Sequence, residues 1–131
     1  MTIVVGYLAT AEGREALDAA IEESRRGRGR VVVVVSRKAS STPPPPEDDP
    51  ELAAVSQRFT EAGVDHELRV VTDSDGVAED LVLSAEETDA DVIVIGLRRR
   101  SPVGKLILGS NAQRILLDAP CPVLAVKPVR P

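Results

Sequence analysis

The sequence predicts an α/β protein with a doubly wound parallel sheet, helices on both faces, and three observations carry that prediction. Short, nearly continuous apolar runs alternate with segments whose apolar residues recur every three or four positions, the order that builds a parallel sheet through right-handed helical crossovers. Val31 to Val35 is five valines in succession, a run that only a strand covered on both faces can bury. The chain is 43% hydrophobic yet has one Phe, one Tyr and no Trp, so its core is built from Val, Leu, Ile and Ala, the usual filling of such a sheet.

The first strand is read at Thr2 to Gly6. From Glu12 onward Ala16, Leu17, Ala20 and Ile21 fall on one helical face and Arg14, Glu15, Asp18 and Glu22 on the other, with Thr10 as the expected N-cap. Gly27 and Gly29 end this helix, and its terminal arginines complement the dipole. After the valine strand comes RKASSTPPPPEDDP, whose prolines forbid a helix; residues 37–49 read as a mobile Pro-rich surface insert. Leu52, Val55, Phe59 and Ala62 then share one face of a second helix, closed by Gly63. Val64 to Thr72 alternates, with His66, Leu68 and Val70 on one side, as expected of a half-exposed strand at a sheet edge. His66 has no Ser, Cys or acid at a catalytic spacing and reads as structural.

The TDSDG turn, with Asp73 and Asp75, reads as a turn and helix cap rather than a cation site. The helix after it turns Val77, Ala78, Leu81, Val82 and Ala85 inward. Val92 to Ile95 is the fourth strand and Pro122 to Val126 the last. At 131 residues all this fits one domain, residues 1–131.

Between the last two strands lies Asp91 to Gln113, where strand, glycine, basic loop, second glycine and Ser110 follow one another. Helix N-terminal N–H groups lack intrahelical partners and carry partial positive charge, so a glycine-flanked helix start is suited to an anion such as phosphate. Val103, Leu106 and Ile107 have the spacing of a short connecting helix. Ser110 to Gln113 reads as an S-x-x-Q capping box. The Gly104–Lys105 pair is not a Walker A loop, because the required upstream glycine is missing and Leu106 stands where Ser or Thr would bind magnesium. Arg98, Arg99 and Arg100 suit either a solvated loop or a phosphate clamp.

Composition narrows the function. A net charge of −5 and the lack of aromatic platforms argue against nucleic acid and anionic membrane as partners. The start of the chain has neither a basic leader nor a long apolar run, and the expected location is cytoplasmic. One cysteine and one histidine exclude a Cys/His zinc centre.

The run VIVIGLRRRSPVGKLILGSNAQRILLDAPCPVLAVKP closely resembles the C-terminal half of the universal stress protein family, and the first strand and helix are similar to that family's beginning. The resemblance implies strand order 3-2-1-4-5, a Rossmann-like arrangement, and homodimers paired through the last strand, here Val123, Leu124, Ala125 and Val126. It implies ATP or another adenine nucleotide, with or without Mg, held by the loop after the first strand (Leu8, Ala9, Thr10), main-chain groups near Val35, and the stretch containing Ile95, Gly96, Arg98, Arg99, Gly109, Ser110 and Asn111. Two positions depart from the family pattern: Leu8 stands where an Asp is expected and Arg99 where a glycine is expected. Losing the carboxylate removes a hydrogen bond to a charged group of about 1–3 kcal/mol. Arg99 either blocks close backbone approach or grips a phosphate with its guanidinium. The expected function is a non-enzymatic stress-response module that binds such a nucleotide or another phosphate-bearing ligand; its rival is a dimeric protein-interaction module of the same fold that does not bind ATP. The protein partner is not named by any motif.

Overall fold

A computed structural model describes residues 1–7, 11–27, 29–37, 48–72, 74–97 and 109–127. In chain order the elements are β1 (Thr2–Gly6), α1 (Ala11–Gly27), β2 (Arg30–Ser36), α2 (Pro50–Glu61), β3 (His66–Val71), α3 (Val77–Thr88), β4 (Val92–Gly96), α4 (Ser110–Asp118) and β5 (Val123–Val126). The strands form one parallel sheet of order β3-β2-β1-β4-β5. The predicted fold, strand number and order are all present. Thr10, the short helix over Val103 to Ile107, Asp73, and all of the Pro-rich insert except its ends lie outside the described residues.

Alternation along the strands divides the core between two layers. Ile3, Val5, Val31, Val33 and Val94 meet Ala16, Leu17 and Ala20 of α1 and Val55 and Phe59 of α2. Val4, Val32, Val34, Ile93 and Ile95 meet Ala78, Leu81 and Ala85 of α3 and Ile115 of α4. Val31, Val32 and Val33 are wholly buried, as their unbroken run requires: successive side chains point to opposite faces, and both faces are covered. β3 lies at one edge, with Leu68 and Val71 on opposite faces. Its His66 is structural: the ring stacks on Phe59 with centroids 5.2 Å apart, and Nε2 lies 3.2 Å from Ser56 Oγ.

Two capping expectations are corrected. Gly109, in extended conformation (φ −71°, ψ 169°), takes the N-cap position of α4 and Ser110 is the first helical residue. The Gln113 N–H donates to the Gly109 carbonyl at 3.0 Å, so the helix starts one residue early for a serine capping box, and no side chain caps it. At α3 neither aspartate of TDSDG occupies the N-cap, which is Gly76 at φ 150°. Glycine suits that backbone, and a Cβ there would also collide with the Glu79 carboxylate. Ser74 completes the turn instead, its hydroxyl accepting from the Gly76 N–H at 3.0 Å.

Ser74 also belongs to a polar belt along the carboxyl ends of β2 and β3. Asp80, 8% exposed, accepts hydrogen bonds from Ser36 and Ser74 hydroxyls, each at 2.5 Å. The Arg37 N–H donates to the Val71 carbonyl at 2.8 Å, and the Ser74 N–H to the Arg37 carbonyl at 3.1 Å. Arg37 pairs with Asp49 at 2.8 Å, while Asp49 caps α2 by accepting from the Glu51 N–H at 2.9 Å. Arg37 and Asp49, at the two ends of the Pro-rich insert, are therefore tied into the fold. Replacing Asp80 by alanine removes the acceptor of two half-buried hydroxyls, at about 1 kcal/mol for each hydrogen bond lost. Asp80→Ala should lower the urea midpoint correspondingly with an unchanged m-value; an unaltered midpoint would remove the belt's contribution.

Candidate functional site

Where the order of a parallel sheet reverses, neighbouring crossovers leave in opposite directions and open a crevice at the carboxyl ends of the strands. Here the reversal lies between β1 and β4, with α1 on one face and α3 and α4 on the other. A cavity of about 110 Å³ lies at that position, bounded by Gly6 and Gly96 at the strand ends, Gly13 of α1, Val77 and Leu81 of α3, Ile95, and Asn111, Ala112 and Ile115 of α4. Gly13, Val77 and Asn111 belong to the first turns of their helices, so three positive dipole ends converge on one space.

These helix starts are not equivalent. The first turn of α3 contains Glu79 and Asp80, which answer its dipole internally. That of α4 contains no acidic residue and no side-chain cap, leaving its field to act on whatever occupies the crevice. The deeper lining is apolar: Leu81, Ile95 and Ile115 are 1%, 7% and 2% exposed. A Cβ on Gly6 would stand 2.9 Å from Leu81 Cδ1 and 3.2 Å from Cδ2, so a larger residue there would push the end of the Leu81 side chain aside.

Of the residues assigned from the sequence, the structure brings Ile95, Gly96 and Asn111 into the cavity wall. Gly109 and Ser110 directly precede Asn111 at the start of α4. The Val35 side chain packs on the α1 and α2 face, because residues 31, 33 and 35 share that side of β2. Leu8, Ala9, Thr10, Arg98 and Arg99 lie outside the described residues. Sequence reasoning missed Gly6, Gly13, Val77, Leu81, Ala112 and Ile115 as cavity residues. Gly6 carried a signal, as a glycine ending the first strand. Val77 and Leu81 read only as core positions, since periodicity gives a face but not what lies beyond it.

Tyr7 sits where β1 ends, its N–H bonded to the Val34 carbonyl at 3.0 Å and its hydroxyl donating to Glu51 Oε1 at 2.8 Å. Burial first, then the bond to Glu51 and that carboxylate's charge, push its pKa up to about 12. The pair ties the chain just past the end of β1 to the first turn of α2. Cys121 is half-buried, and burial followed by the charge of Asp91 raises its pKa, the opposite of an activated thiolate. Among the described residues no group of three His, Cys, Asp or Glu side chains is placed to hold a metal ion, and no described helix is long and apolar enough to cross a membrane.

Comparison with known proteins adds four findings. The model of the universal stress protein family matches residues 1–127. A curated universal stress protein of Mycolicibacterium smegmatis is 42% identical over 127 residues, covering 96% of this chain and 97% of that protein. Among solved structures, a universal stress protein of Archaeoglobus fulgidus superposes with a TM-score of 0.68 at 33% identity, covering 97% of this chain and 98% of that one. The universal stress protein from Archaeoglobus fulgidus solved in complex with dAMP aligns at 28% identity with a TM-score of 0.64, covering 97% of this chain and 98% of that one.

The chain has a single Tyr and no Trp, so absorbance at 295 nm follows Tyr7 alone. The folded protein should titrate near 12, against about 10 when unfolded. A pKa raised on folding favours the neutral phenol, so the stabilisation is complete below the unfolded pKa and is lost as pH rises through the folded one. Glu51→Gln should lower the midpoint, and an unchanged midpoint would show that burial acts without the carboxylate.

Proposed function

The chain belongs to the universal stress protein family, and on that footing we propose that it is a stress-response module whose switch-point crevice binds an adenine nucleotide. The observation that carries this reading is the α4 N-terminus, free of acidic side chains in its first turn and without a side-chain cap, opening onto a cavity flanked by Gly6, Gly13 and Gly96. Phosphate oxygens accept from backbone N–H groups at such a helix start, with the Ser110 hydroxyl as a further donor. The dAMP complex of the relative from Archaeoglobus fulgidus supports the same ligand class. Binding in place of catalysis is proposed because no described residue near the cavity pairs a nucleophile with a base. ATP and shorter adenine nucleotides share the required chemistry, and any magnesium travels on the phosphates.

The same reading places the protein in the cytoplasm as a homodimer joined through β5. Among the described residues that strand is bonded only to β4, and its outer edge would template pairing with a second copy. Leu124 of β5 is 37% exposed, and Leu116 and Leu117 of α4 are 44% and 84% exposed, an apolar surface suited to burial between subunits.

Bound adenine would dominate the ultraviolet spectrum of a protein this poor in aromatics. Calorimetry with AMP and ATP is expected to give saturable heat, and a flat titration with no excess absorbance near 260 nm would refute nucleotide binding. For assembly, Leu124→Asp should convert a dimer to a monomer in analytical ultracentrifugation, whereas a dimer of normal affinity would exclude this interface.

A further inference from the structure

Two walls of the crevice are held from outside it. Gly6 and Val77 line the cavity, and each has as its chain neighbour a residue hydrogen-bonded toward the same ion pair. That pair is Arg37–Asp49, with Nη2 and Oδ2 2.8 Å apart and the side chains only 11% and 20% exposed. On the β1 side Asp49 Oδ1 accepts from the Glu51 N–H at 2.9 Å, and Glu51 Oε1 accepts from the Tyr7 hydroxyl at 2.8 Å. On the α3 side the Arg37 carbonyl accepts from the Ser74 N–H at 3.1 Å, and Ser74 Oγ accepts from the Gly76 N–H at 3.0 Å. The start of α3 has no side-chain cap, so the Ser74 hydroxyl is what anchors the residue before its first turn. Arg37 and Asp49 are 12 positions apart in the chain, and holding them together costs loop-closure entropy. A shielded ion pair opposes that cost, and loses most of its effect when either charge is removed.

Accepting the crevice as the ligand site, on which this step rests, we infer that Arg37 and Asp49 are positioning residues for it. Their ion pair holds Gly6 in place through Glu51 and Tyr7, and Val77 through Ser74 and Gly76, and so sets the separation of the β1 and α3 walls. Neither residue belongs to the cavity lining; both act through others. Breaking the pair adds an ordering cost to ligand binding without removing a ligand contact. The coupling is reciprocal, so a ligand that prefers the ordered crevice also strengthens the pair. A force on either end of the Pro-rich insert therefore reaches the crevice.

The test uses the whole chain and three variants. Asp49→Asn keeps an acceptor for the start of α2 but loses the charge, Arg37→Gln loses the opposite charge, and Arg37→Lys keeps it. Amide hydrogen exchange on the ligand-free protein is compared with that of Ile93, whose N–H is held by the Pro122 carbonyl in the sheet. Relative to Ile93, the amides of Tyr7, Ser74 and Gly76 should exchange about tenfold faster or more in Asp49→Asn and Arg37→Gln, with most of the protection restored in Arg37→Lys. In calorimetry AMP should bind those two variants about fivefold more weakly or worse, and saturating AMP should slow exchange at Ser74 and Gly76 in the wild-type protein. If faster exchange is confined to residues 49–51, or AMP binds the two variants as it binds the wild type, the positioning role is overturned while nucleotide binding stands. If the wild-type protein binds no AMP, the nucleotide reading fails, and the exchange pattern alone decides whether the pair holds both walls.

Discussion

The architecture depends on burying β1 and β2 on both faces at once. Ile3, Val4 and Val5, and Val31, Val32 and Val33, are wholly excluded from water, and a single layer of helices covers only one side of a sheet. Helices must therefore be supplied to both faces, and right-handed crossovers allow this only if the chain leaves β1 toward β2 and later returns to pair β4 on the other side. The crevice at the β1–β4 reversal is a by-product of that covering. The site exists because the core is double-sided, and its walls are the first turns of the helices that do the covering.

Around this crevice the molecule distributes charge unevenly. At α2 and α3 the helix starts are answered by the protein's own acids, Asp49 and Glu51 in one case and Glu79 and Asp80 in the other. Much of this chemistry is structural, tying strand ends together through Ser36, Arg37 and Ser74. At α4 the corresponding positions hold Gly109, Ser110, Asn111 and Ala112, without an acid. The Tyr7–Glu51 bond links the two regions by anchoring the chain where it leaves β1.

Most of the fold was legible in the sequence because it is written in periodicity. Five valines state a doubly covered strand, and Leu52, Val55 and Phe59 state a helix face. The strand order came from the family resemblance rather than from pattern. What could not be read were choices made within one residue. Gly109 and Ser110 both suit an N-cap, and tertiary placement of α4 selected the glycine. Asp73 and Asp75 both looked like caps for α3, yet Gly76 took the place and Ser74 bridged the turn. Asp80 went unnoticed because its partners, Ser36 and Ser74, lie on other segments. The glycine-flanked helix start was legible in Gly96, Gly109 and Ser110; the apolar cavity beside it was not, since Leu81 and Ile115 look like any other core residue.

The proposed nucleotide site joins the α4 N-terminus to the cavity beside it. Amide chemical-shift mapping during titration with an adenine nucleotide tests this residue by residue. Saturable shifts are expected centred on Gly96, Ser110, Asn111 and Ala112, with the strand-edge amides of β3 unmoved. Binding that shifts amides elsewhere and leaves the first turn of α4 unchanged would contradict it.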